Sequence, residues 1–334
     1  MHRPVQYPDH IEPLVRFVEE TAPEHIVERT HARLAAGTPV KEMLLASALA
    51  VVRSSDLPPG HHGGPLHPLA GLHAVRNIAA RLPGDYGRMP VIQNVAVANK
   101  HIHSPAMGPY ILGDAQPVSE RDDLEATLES FRFAAGRGVY NACDHYFLYL
   151  LQRLSPMQVL EHLLQVAIPK NQLDDHLVWH TGPEVMMAQR MLASDIQPEP
   201  DRVAALPWQT PDDLLAEIEA LISSLPVGER LPKANLASWR STDEVKQAAA
   251  ALAQQYADAG YSAEALITLL GKIACRDNFT EMHALKHHQA TYEEFHTTRP
   301  SLRWRHLVAA VQAAAISHGR IQDVYAHAAE VMHF

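Results

Sequence analysis

Three imidazoles stand close together in "NFTEMHALKHH", residues 278–288: His283, His287 and His288. His283 and His287 are four residues apart, and so are His176 and His180 in "DDHLVWH". On a helix such a pair shares one face and can hold one metal ion. Carboxylates stand beside both pairs: Asp174 and Asp175 before His176, Glu281 before His283. They can serve as further ligands or fix the imidazole tautomer from behind. Each pair alone is also what an ordinary surface or core helix shows, and Asp174, Asp175 and Glu281 also suit N-caps and first helical turns.

Recurrence is what argues for chemistry. The chain holds 22 histidines in 334 residues, roughly three times what average composition gives. "VIQNVAVANKHIH" (91–103), "LLQVAIPKNQLDDH" (163–176) and "LLGKIACRDNFTEMH" (269–283) share one plan. Each is an apolar helix with alanine near its end (Ala96, Ala167, Ala274), then a polar break, then a histidine. "LLASALAVVRSSDLPPGHHGGPLH" (44–67) follows it with a longer loop, and "HPLAGLHA" from His67 parallels "HALKHHQA" from His283. These spacings predict helix–loop–helix units whose second helices begin at a common end. His67, His103, His176 and His283 would then meet at one cavity. The positive end of a helix dipole disfavours imidazolium, and neutral imidazole is the form that binds metal. The expected ligands are His67, His103, His176, His180, His283 and His287, with Asp175 or Glu281 as the carboxylate.

Other polar stretches have plainer readings. "PPGHHGGPLHPLAGLH" (58–73) suits a glycine-containing loop that approaches a ligand, or merely leads into a helix. Pro105, Gly108 and Pro109 place His101 and His103 at a helix end or turn. Asp144–His145 inside an apolar helix could be a ligand pair or, more commonly, a buried hydrogen-bonded pair, and Cys143 fits a small core residue.

The elements that must position these residues are helical. Apolar residues recur at three- and four-residue spacing almost throughout. "TPVKEMLLASALAVVR" reads as a helix capped by Thr38, with Pro39 in its first position. "TPDDLLAEIEALISSL" repeats the pattern with Thr210. "STDEVKQAAAALAQQYADAG" ends on Gly260, and "PSLRWRHLVAAVQAAAISHG" begins on Pro300. "VIQNVAVANK" could be a strand by composition; its neighbours make it helix. The expected fold class is all-α, with helical hairpins stacked in a HEAT-like or globular array. Residues 1–193 form a histidine-rich lobe, 194–213 a Pro/Asp-rich connection, and 214–334 a second lobe packed on the first.

Composition excludes several classes. The net charge is −10, and Lys and Arg are scattered, which argues against nucleic acid. There is no apolar run of spanning length, no basic amphipathic helix and no signal-peptide core. Two cysteines make neither a disulfide framework nor a cysteine zinc site. The expected location is the reducing cytoplasm. Nucleotide-binding glycine motifs, G-x-S-x-G and H-E-x-x-H are missing.

"GPLHPLAGLHAV" and "NFTEMHALKHHQA", in an all-helical chain of this size, are similar to the questin oxidase-like family, over about the first third and last fifth of the chain. The resemblance implies a helical oxidoreductase acting with dioxygen on a polyphenolic or other natural product. It transfers no site residue. The leading expectation is therefore a metal-dependent oxidoreductase. Imidazole ligation suits iron, with haem or zinc as variants. Its partners would be a small-molecule substrate and a redox protein. A zinc hydrolase and a non-catalytic helical scaffold are the alternatives.

Overall fold

The computed structural model describes residues 4–56, 67–113, 115–137, 139–170, 198–223, 243–276, 282–317 and 323–334. Among them the fold is all-α: sixteen α-helices, two short 3-10 helices and only isolated β-bridges. No helix among the described residues is long and apolar enough to cross a membrane.

The first group comprises α1 (Glu12–Glu20), α2 (Ile26–Ala35), α3 (Val40–Ser54), the single turn α4 (His67–Ala70), α5 (Leu72–Arg81) and α6 (Met89–Ile102). Helix α6 is the stretch whose composition also allowed a strand. Pro90 in its first turn favours helix. All its residues except Lys100 are buried, because α1, α2, α3 and α5 pack around it. In a linear solenoid each unit touches only its neighbours; here one helix is enclosed by the others. Thr38 does not cap α3: Pro39 is the N-cap residue, with no side-chain capping bond.

Arg53 ties the entry of the chain to this group. Its guanidinium donates to Glu19 at 2.8 and 2.6 Å, to Glu12 at 3.0 and 2.8 Å, and to the Val5 carbonyl at 3.1 Å. Ser54 Oγ adds a bond of 2.6 Å to Glu19, and the Tyr7 amide one of 3.1 Å to Glu12.

Helices α7 (Leu124–Arg137), α8 (Tyr140–Leu151) and α9 (Pro156–Lys170) enclose a small core around Leu128, Phe131 and Leu150. In α8 the His145 ring meets the backbone of Gln116 at 2.6 Å, and Asp144 is exposed rather than buried. The Pro/Asp-rich connection contains a short helix, α10 (Pro200–Ala205).

The last group comprises α11 (Pro211–Ser223), α12 (Asp243–Asp258), α13 (Ala263–Ala274), α14 (His283–Thr297), α15 (Pro300–Ser317) and α16 (Asp323–Met332). Thr210 caps α11 by accepting from the Asp213 amide at 3.2 Å, and Gly260 takes the left-handed conformation after α12 at φ 71°. The core of this group is built from α11, α12, α13 and α15, with Phe295 from the far end of α14. The start of α14 faces elsewhere. Met282, Ala284 and Leu285 join Ala274, Cys275 and Ala328 in the core around α6. That inclusion brings the two histidine-bearing helix starts together.

Candidate functional site

His67 is the first residue of α4 and His283 the first of α14. Their rings lie side by side, with centroids 4.5 Å apart and planes at 53°. Both are half-buried. Two imidazoles bound to one ion at adjacent positions, with metal–nitrogen bonds of about 2.0–2.1 Å, place their ring centres about 4.5–5 Å apart. The pair therefore has the separation of two ligands of one metal.

His287 follows one turn later on α14 and is half-buried. His103 does not begin a helix. It is the C-cap residue of α6, exposed, and its Nδ1 donates to the Asn99 carbonyl at 3.0 Å. The spacing after Ala96 misleads because α6 runs on through the Asn99–Lys100 break, where Asn99 is held by α1. Asp175, His176, His180 and Glu281 lie outside the described residues, as do His61 and His62. Among the described residues no group of three or more His, Cys, Asp or Glu side chains could hold a metal ion.

Close packing fixes where the two helix starts meet. A Cβ on Gly71 would lie 2.8 Å from both Cβ and Cγ of Met282 and 3.2 Å from the His67 carbonyl oxygen. Only a residue without a side chain lets the α4–α5 junction press on the residue before His283. Gly71→Ala is expected to cost about 1–3 kcal/mol through overpacking. Urea unfolding should show this as a lower midpoint at unchanged slope.

Beyond the rings, α5 and α14 are joined by a polar chain. His73 Nε2 meets Glu293 Oε1 at 2.7 Å. Glu293 accepts from Gln289 Nε2 at 2.7 Å, and Gln289 Oε1 accepts from Arg81 at 2.6 Å. Arg81 also stacks on Tyr292, 3.9 Å from the ring centre. Burial raises the Glu293 carboxyl, but hydrogen bonds from His73 and Gln289 outweigh it and hold the group below the usual carboxylate range. His288 points the other way, into protein. Its Nε2 donates to the Ile267 carbonyl at 2.9 Å, and burial pushes its pKa down to about 4. Of the three imidazoles in "MHALKHH", His288 is thus a core residue, and His283 is the one that faces His67.

Sequence reasoning passed over Gln93 and Asn94. Both are fully buried on α6. Gln93 donates to the Cys275 carbonyl, and Asn94 donates to the Pro68 carbonyl at 2.9 Å and lies 3.8 Å from Met282 Sδ. Adjacent carboxamides in an otherwise apolar helix were the available signal, since buried amides require partners.

No family model, curated protein or solved structure matches this chain.

Proposed function

We propose that the protein is a metal-dependent oxidoreductase that uses dioxygen on a small organic substrate of the natural-product kind, with His67 and His283 as imidazole ligands of a non-haem iron. One observation carries the reading: two histidines far apart in the chain begin separate helices and meet ring to ring at 4.5 Å. The likeness to questin oxidase-like sequences supports the redox assignment. Two imidazoles and one carboxylate are the usual donor set of such an iron. In the chain, Glu281 stands two residues before His283, and Asp175 is the other carboxylate assigned to the set. Iron would supply the activation of dioxygen. The protein's part is to present two imidazoles from helix starts that packing holds in place, and to keep that seam half-shielded from water.

Elemental analysis with a visible spectrum of the purified protein tests this. The expected result is stoichiometric iron with visible absorbance, lost in His67→Ala and His283→Ala while far-ultraviolet circular dichroism is unchanged. Colourless stoichiometric zinc would assign a hydrolase instead. A protein without metal would be a scaffold.

A further inference from the structure

Asn94 lies at the centre of α6, fully buried. Its carboxamide touches three elements. Oδ1 accepts from Ser47 Oγ of α3 at 2.9 Å, and the Pro68 carbonyl, which can only accept, fixes which end of the amide carries the protons. Nδ2 then donates to the Pro68 carbonyl at 2.9 Å and sits 3.8 Å from Met282 Sδ, a weak acceptor. Pro68 directly follows His67, and Met282 directly precedes His283. A single side chain thus holds the neighbour of each histidine. Its own neighbour, Gln93, donates to the carbonyl of Cys275, at the end of the preceding helix.

We infer that Asn94 is the positioning residue that sets His67 against His283. A hydrogen bond to the backbone carbonyl beside one imidazole and a contact with the side chain of the residue beside the other tie both neighbours to α6, the part that outer hydrogen bonds play around metal ligands. The Gly71–Met282 contact supplies the repulsive wall of that frame, and Asn94 supplies the attraction. The inference rests on the reading of His67 and His283 as one metal site only where it concerns metal affinity.

Asn99 provides the matched control. It is equally buried on the same helix, and its Nδ2 also donates twice, to Val18 at 2.7 Å and to Thr21 at 2.8 Å. Those bonds hold the end of α1 and touch neither histidine neighbour. The experiment is ring-to-ring nuclear Overhauser spectroscopy on chelator-treated protein with isotope-labelled histidines. The His67–His283 cross-peak should be present in the unmodified chain and in Asn99→Ala, and lost in Asn94→Ala. A cross-peak that survives in Asn94→Ala, or disappears equally in Asn99→Ala, overturns the inference. Should Asn94→Ala fail to fold, Ser47→Ala removes only the bond that ties the amide oxygen to α3. It should weaken the cross-peak, and an unchanged one overturns the inference. Iron affinity gives the second readout: a fall of about 10–100-fold in Asn94→Ala against no change in Asn99→Ala. A chain that shows the cross-peak pattern yet binds no iron keeps the positioning role and removes the metal reading alone.

Discussion

Replacing Arg53 by methionine is expected to cost about 3–5 kcal/mol of folding stability, because it strands two buried carboxylates. The Arg53 side chain is 5% exposed, and those of Glu12 and Glu19 are 13% and 15% exposed. Surface ion pairs contribute little, but here the charges are largely out of water, and the guanidinium holds both carboxylates through paired contacts. Removing it leaves two like charges close together, with only the exposed Arg16, 2.9 Å from Glu12, to offset them. Against a typical total of about 5–15 kcal/mol, such a loss brings the chain near its unfolding threshold. Combining Arg53→Met with Glu12→Gln and Glu19→Gln should recover most of it, since the penalty belongs to the stranded charges. Urea unfolding of the single and triple variants checks this. A single variant within about 1 kcal/mol of the parent, as surface pairs give, would contradict it.

Acid should weaken the fold through His288. Burial holds this imidazole at about 4 in the folded chain, with the charges of Arg81 and His287 also lowering it and the Ile267 hydrogen bond opposing. The unfolded value is about 6.5. Above that, the ring is neutral in both states and pH has no effect through it. Between about 6.5 and 4 the unfolded chain takes up a proton that the folded chain refuses, so stability falls as pH falls. At about 1.4 kcal/mol per pH unit the loss reaches about 3 kcal/mol by pH 4. Carboxylates also titrate there, so the quantity to measure is the difference between the parent and His288→Gln. Glutamine can still donate to the Ile267 carbonyl but has no charged form. The variant should be the less stable at pH 7 and lose less on acidification, so that the two curves approach each other below pH 5. Parallel curves would contradict the assignment.

The helices were legible because their signals are local. Thr210, Gly260 and Pro300 mark helix ends within a few residues, and three- and four-residue spacing survives without knowledge of the partner. Helix α6 shows where locality ends. It is apolar on every side because other helices surround it, a property of the assembly rather than of its own periodicity. The His67–His283 encounter was readable from the parallel between "HPLAGLHA" and "HALKHHQA", since both histidines open helices that press on one another. His103 was misread for a matching reason. Its resemblance to the other units is confined to spacing, and the bonds from Asn99 to α1 that carry α6 past the polar break come from far away in the chain. His288 sits beside His287 in the sequence, yet adjacent positions on a helix point about 100° apart. One ring therefore reaches the core while its neighbour stays near the seam. Asn94 was hidden because a buried amide announces only that it has partners, and the partners come from both ends of the molecule.

The proposed site has one ion shared by His67 and His283. Iron(II) titration by anaerobic calorimetry on the parent, His67→Ala, His283→Ala and the double variant tests it most directly. The expected result is one site per chain and an affinity loss of more than about 100-fold in each single variant, beyond what changes behind the ligands produce. For two rings on one ion, the double variant loses far less than the sum of the two. Iron bound equally well by the parent and both single variants, or not bound by the parent at all, would contradict it.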